Sequence, residues 1–327
     1  MKINSIIKII IATLLIYLLS KYDFLDFSIL FNLDLLLSMK IMGLISIIIF
    51  LGSLKWYFLI KVQNKNISFK ETFESYYLGY ALNYVLFGIA GDVIKTIYLI
   101  RNNENKIGIT LSVVIDRAIG LLSMLMILLI FLPQIFTNTE LFNINFLFNN
   151  KNYYYLFLFS FFIFFFLFIR KSLNSRRINK IILLYLYKYK SKLVKFIART
   201  LKILFTYRKS SINLLINLLI AIILQVVIGY SIFLIATEIL AEDTSFFHNL
   251  VANIAVQIVS KVPISPGGIG VGEAAFSQVM YLLNNNVLLQ YASVLFIFRI
   301  FNMIYSVPGV IIYYIFVKNK VVKNEFK

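Results

Sequence analysis

The chain has 327 residues, 61% of them hydrophobic and only 14% charged, with 32 Phe, 21 Tyr and a formal net charge of +18. A mean hydropathy of +0.87 lies far above the roughly half-apolar usage of soluble domains, and this excludes a soluble fold, which has no interior large enough to hide so much apolar surface. The absence of cysteine rules out disulfides and thiolate metal sites, a single histidine, His248, rules out a multi-histidine centre, and Lys and Arg clustered between apolar segments suit anionic lipid headgroups better than nucleic acid.

In chain order, the first 20 residues carry Lys2 and Lys8 and an apolar run over 9–19. No A-x-A-like cleavage site follows, so the segment reads as a retained first crossing, with Lys8 reaching back toward the headgroups. A membrane-spanning helix needs about 20 mostly apolar residues. Stretches of that kind lie near 3–20, 38–60, 108–131, 153–170, 211–237 and 289–317. Two more, 73–100 and 248–283, are interrupted midway by glycine beside an acid. The first interruption reads Gly88-Ile89-Ala90-Gly91-Asp92, and the second Pro263-Ile264-Ser265-Pro266-Gly267-Gly268-Ile269-Gly270-Val271-Gly272-Glu273. Either stretch is a single broken crossing or a re-entrant pair of half-helices.

Loop charge favours the re-entrant reading, because cytoplasmic loops collect Lys and Arg. With both segments re-entering, 24 of the 32 basic residues fall on the cytoplasmic side, against Lys21, Lys40 and Lys151 outside. The 170–209 stretch alone has thirteen basic residues and no acid. The expected fold is therefore an all-α polytopic membrane protein, a single membrane domain over 1–327, with about six full transmembrane helices and two broken re-entrant helix pairs. Both termini are expected in the cytoplasm, the chain lying in the inner (cytoplasmic) membrane with 170–209 as a basic cytoplasmic linker. Residues 1 to about 135 and about 150 to 317 then share one plan. Three crossings per unit is an odd number, so the second unit lies inverted, as in many transporters. Spacing supports the duplication: Asp92 precedes Ser112 by 20 residues and Glu273 precedes Ser293 by 20, while Asp92 to Arg117 is 25 and Glu273 to Arg299 is 26.

Charges inside hydrocarbon cost about 2.5 to 3.5 kcal/mol each on insertion scales, and those that occur face one another or a polar cavity. Candidates at such depths are Asp92, Lys95, Asp116, Arg117, Lys261, Glu273 and Arg299. Asp92 and Lys95, three apart, share a helical face and can pair. Asp116 and Arg117 are adjacent and point different ways, so at least one needs a partner elsewhere. Four cations against three acids leave a net positive site that an anionic headgroup completes. The bland alternative is that these residues only lock helices together. The Pro/Gly-rich stretch 263–273 cannot continue a helix. It is expected to end one half-helix and start another near Gly270, whose exposed amides, with Gly267 and Gly268 in the same bend, attract phosphate. Glu273 in that first turn suits capping or holding Lys261 or an arginine.

The sequence Gly91-Asp92-Val93-Ile94-Lys95, then Val114-Ile115-Asp116-Arg117-Ala118-Ile119-Gly120, then the stretch from Pro263 through Glu273 to Ala275 resembles the lysylphosphatidylglycerol synthase transmembrane family, the flippase-like membrane proteins, over roughly residues 5 to 315. The resemblance implies a membrane domain that, in the fused synthases, moves aminoacylated phosphatidylglycerol between leaflets. It implies functional weight on Asp92, Asp116, Arg117, Glu273 and Arg299. The family's double glycine before the aspartate stands here as Ala90-Gly91. The synthases' soluble aminoacyl-transfer domain has no counterpart in these residues, so lipid movement is expected rather than synthesis.

The leading expectation is a lipid flippase or transporter for an anionic phospholipid or lipid-linked headgroup, without cofactor, metal or catalytic residues, and compatible with a homo-oligomer. Arg117, Arg299, Lys261 and Lys95 with Gly267, Gly268 and Gly270 would bind the substrate, and Asp92, Asp116 and Glu273 would pair charges or gate. The alternative is a membrane-embedded lipid-modifying transferase, or an accessory of a cell-envelope glycosyltransferase, with Asp92 or Glu273 as general base.

Overall fold

A computed structural model of the chain describes residues 13–14, 16–21, 26, 28–31, 33–63, 66–85, 90–100, 105–138, 207, 210–240, 244–260, 265–284 and 290–325. Its regular elements are helices throughout: α1 Leu35–Gln63, α2 Phe69–Val85, α3 Ala90–Ile100, α4 Lys106–Asn138, α5 Ser211–Leu240, α6 Phe246–Val259, α7 Val271–Leu283 and α8 Tyr291–Glu325, with 3-10 turns at Ser28–Phe31 and Pro266–Gly268. Among the described residues, four helices are long and apolar enough to cross a membrane: Leu35–Gln63, Lys106–Phe131, Ile212–Leu240 and Tyr291–Ile312. They coincide with four of the six expected crossings, and the protein is a polytopic all-α membrane protein. The crossing near 153–170 lies outside the described residues, as does the basic stretch 170–209 apart from Tyr207. Of the segment 3–20, only residues 13–14 and 16–20 are described, and these are helical.

Both interrupted segments are helical hairpins. In the first, Tyr98 donates to Glu74 Oε2 at 3.2 Å, Ser75 Oγ to the Lys95 carbonyl at 2.6 Å, and Gly91 N–H to Asn83 Oδ1 at 3.1 Å. Residue numbers rise along α2 as their partners' fall along α3, so the arms are antiparallel. In the second hairpin His248 meets Asn284, Val256 packs where a Cβ on Gly272 would lie, and Ser260 packs where one on Gly268 would lie. The arms have 17, 11, 14 and 13 residues, about 16 to 25 Å at 1.5 Å per residue. Each is shorter than the roughly 30 Å hydrocarbon core.

Glycine sets how closely the arms approach. A Cβ on Gly91 would overlap the Gly79 carbonyl oxygen, so α2 and α3 touch backbone to backbone. In lipid, where apolar burial does not favour one helix partner over another, such close van der Waals packing is a main source of association. At the tip of the second hairpin, Gly267, Gly268 and Gly270 have φ of 59°, 73° and 80°, a left-handed region that only glycine enters without strain. The bend forms there, and α7 starts at Val271 with Gly270 as its N-cap, as its sequence leads one to expect.

The hairpins dock on a central pair of helices. α1 and α5 pack along Ile41, Ile45, Ile220 and Leu224, and Asn217 of α5 donates to the Lys55 carbonyl. Gly229 of α5 admits Leu250 of α6, and Gln225 and Gln257 exchange side-chain hydrogen bonds at 2.7 and 3.2 Å. The α2 arm packs on α8: Tyr77 donates to the Tyr305 carbonyl at 2.7 Å, Tyr80 donates to Asn302, and Gly309 leaves room for Ala81. The segment before α1 is tied in by Asp26 N–H donating to Ser293 Oγ at 2.8 Å. Ser28 N–H in turn binds Asp26 Oδ1 at 2.8 Å and holds that exposed carboxyl below its ordinary range.

Candidate functional site: two ion-paired hairpins

The first group of charges forms where α3 meets α4. Asp92 lies in the first turn of α3, where a carboxylate complements the helix dipole. Its Oδ1 contacts Lys95 Nζ at 2.8 Å, the i,i+3 pair that helix geometry allows. Its Oδ2 accepts from Arg117 Nε at 2.5 Å and also pairs with Arg117 Nη2. One carboxylate therefore serves two cations. Lys95 is 4% exposed, and its ammonium sits 4.7 Å from the Trp56 ring centroid and 5.3 Å from that of Tyr76. Such rings partly replace water around a buried cation. Trp56 is fixed by its indole N–H donating to Ser112 Oγ at 3.0 Å.

Asp116 and Arg117 do diverge, as adjacent helical positions must. Asp116 pairs with Lys55 of α1 at 3.0 Å, with side-chain exposures of 12% and 10%. Lys55 is a member of the site that sequence reasoning missed. The signal was present, since a lysine deep in a 29-residue apolar helix is itself a flag.

The second group forms at the tip of the second hairpin. Glu273, fully buried, caps its own helix: Oε2 accepts from Gly270 N–H at 2.7 Å. Its Oε1 faces Arg299 Nε of α8 at 3.2 Å. The two roles open to Glu273 from sequence are thus both filled, with Arg299 as the cation. Arg299 reaches this place because position 272 is glycine; a Cβ there would overlap Arg299 Nη2.

Around this pair, hydrogen-bonding capacity is left over. Arg299 Nη1, Ser260 Oγ, Ser265 Oγ, Ser277 Oγ and Asn253 Nδ2 are buried and have no partner among the described residues. Ser277 follows Glu273 by one turn on the same face of α7, and Ser260 lies against Gly268. Leaving a buried donor unmade costs about 1–3 kcal/mol, so Arg299 and the serines on the elements that hold it have capacity for a polar partner. α2 touches the Pro266–Gly268 turn, and its Tyr80 donates to Asn302, three residues after Arg299 on α8.

The two groups differ in access. Arg117 is 44% exposed at its side chain, whereas Arg299 is 11% and Glu273 0%. No ion pair or hydrogen bond joins Arg117 to Arg299 among the described residues. Lys261 lies outside the described residues. Among the described residues, no cluster of His, Asp and Glu has the make-up to hold a metal ion.

Each hairpin thus has an acid in the first turn of its second arm, paired with an arginine on the long helix that follows. Comparison with curated proteins and with solved structures returns no match. The family model described as the lysylphosphatidylglycerol synthase TM region matches residues 5–309, nearly the whole chain, and the protein belongs to that family.

Proposed function

We propose that this protein moves an anionic phospholipid or lipid-linked headgroup between membrane leaflets. The observation that carries the reading is the buried Glu273–Arg299 pair at a hairpin tip, surrounded by donors without partners. A phosphate suits such a group, because Arg299 Nη1 and the serine hydroxyls have hydrogen-bonding capacity left over. Membership of a lipid-synthase membrane family supports a lipid role.

On this reading residues 1 to about 135 and about 150 to 317 are inverted repeats, with termini and the 170–209 linker cytoplasmic. Asp92–Arg117 and Glu273–Arg299 are then equivalent pairs, one accessible and one closed. Exchange of the two arrangements carries the headgroup across while acyl chains stay in the bilayer. Asp92 and Glu273 keep the arginines oriented between cycles.

The test is leaflet exchange of fluorescent phosphatidylglycerol in phosphatidylcholine vesicles holding the purified chain, read by dithionite quenching. The protein speeds loss of the inner-leaflet signal, and Arg299→Gln, shorter and uncharged but still able to donate, lowers the rate about tenfold, the effect of one charge-assisted contact. An unchanged rate in the variant, or lipid turnover in detergent where no leaflets exist, would replace transport by a structural or enzymatic reading.

A further inference from the structure

The face of α4 around Arg117 is not covered by any described part of the protein. Val114 is 58% exposed, Leu121 40% and Leu125 52%, positions spaced so that they fall with Arg117 along one side of the helix. Arg117 lies eleven residues into the crossing segment Lys106–Phe131, about 16 Å along a helix whose span is roughly 30 Å. A half-exposed arginine thus stands at mid-depth on a surface that otherwise fits acyl chains. Such a charge is normally turned toward protein or water.

Local charge states what would complete it. Lys55 and Asp116 close on each other, and Asp92 is divided between Lys95 and Arg117. Three cations face two carboxylates, so the group carries one uncompensated positive charge. Arg117 binds Asp92 through Nε and Nη2. The remaining nitrogen, Nη1, has no partner among the described residues and keeps two protons for an outside acceptor.

We infer that this face is a lateral portal through which a lipid bearing a single negative charge, a phosphodiester headgroup, reaches the protein from the bilayer side. The phosphate docks on Arg117 Nη1 while an acyl chain lies along Val114, Leu121 and Leu125. One charge matches one charge. A phosphomonoester, at about −1.5 to −2 near neutral pH, leaves excess negative charge in a low-dielectric place, and a zwitterionic headgroup brings its own cation against Lys95 and Arg117. The inference rests on the transport reading and adds to it the charge class of the substrate and the route by which it arrives.

Lipid selectivity at equilibrium separates this from transport itself. The full chain is reconstituted in phosphatidylcholine vesicles, and the motionally restricted fraction of spin-labelled phosphatidylglycerol, phosphatidic acid and phosphatidylcholine is measured by electron paramagnetic resonance. Wild type is expected to prefer phosphatidylglycerol over phosphatidylcholine by about tenfold at the selective site, the effect of one charge-assisted contact. Arg117→Gln abolishes the preference and Arg117→Lys keeps part of it. Because Arg117 is half-exposed, both variants fold, which melting in detergent verifies. Equal selectivity in wild type and Arg117→Gln overturns the portal, as does stronger retention of phosphatidic acid than of phosphatidylglycerol. Those results leave the Arg299 transport assay untouched. If leaflet exchange itself is absent while Arg117→Gln still removes selectivity, the transport reading falls and the lipid site stands.

Discussion

Lys55 and Asp116 show how residue-level charge is handled in this molecule. Both are nearly buried and each is the other's only ionic partner among the described residues. Removing one leaves a charge without compensation in a medium where that costs about 3–5 kcal/mol. Lys55→Met is therefore expected to lower the melting temperature in detergent sharply. Lys55→Met with Asp116→Leu recovers most of the loss, because replacing a buried pair by apolar side chains is often neutral or better. If the double variant melts no higher than the single, the pair is not the cause. Gly270 gives a second case. Its φ of 80° makes Gly270→Ala cost about 1–2 kcal/mol through backbone strain alone. Thermal melting reads that loss. Gly43, where a Cβ would meet nothing within 4 Å and φ is ordinary for a helix, serves as the comparison: Gly43→Ala is neutral or slightly stabilising.

At the scale of elements, the two hairpins are alike inside and unlike in how they dock. The α2 arm meets α8 toward its tip, through Tyr77, Tyr80 and Ala81. The α6 arm meets α4 near its base, where Leu250 and Ile254 pack with Met124 and Ile127 and the Phe247 ring meets that of Phe131 at a tilt of 47°. Nearer that tip Ile258 is 40% exposed. On the proposed repeat, the offset is 181 residues from Asp92 to Glu273 and 182 from Arg117 to Arg299, so the Tyr77–Tyr305 contact maps onto Ile258 and Ser123. If the hairpins exchange arrangements, Ile258→Cys and Ser123→Cys come together in the other state. The chain has no cysteine, so a short thiol cross-linker joins only the introduced pair. Cross-linking in native membranes is expected for this pair and for Tyr77→Cys with Tyr305→Cys. Bridging only at Tyr77 and Tyr305 means a static asymmetry. Sequence made much of this level readable. The hairpin breaks were legible because Gly-rich and Pro-rich backbone cannot continue a helix. Asp92, Arg117, Glu273 and Arg299 were legible as charges inside apolar segments at closely similar spacings, 25 and 26 residues, but which acid meets which arginine was left open. What sequence could not convey was pairing between distant segments: Lys55 with Asp116, the aromatic rings around Lys95, or the serines left without partners beside Arg299. Those depend on which helix faces which, and in a chain this uniformly apolar the pattern of hydrophobicity does not say.

For the whole molecule, the architecture places irregular backbone and buried charge at the tip of the second hairpin, where α2 touches the Pro266–Gly268 turn, in a bundle with four long apolar helices among the described residues. In hydrocarbon that arrangement survives only where protein or a polar ligand satisfies the freed groups. On the proposed transport cycle, motion of the hairpins relative to α4 and α8 moves the lipid headgroup. The measurement that tests it most directly is leaflet exchange of fluorescent phosphatidylglycerol by the Tyr77→Cys/Tyr305→Cys protein, before bridging with a cleavable thiol cross-linker, after bridging, and after cleavage. Exchange should stop on bridging and return on cleavage. A rate that stays the same through all three stages would contradict it.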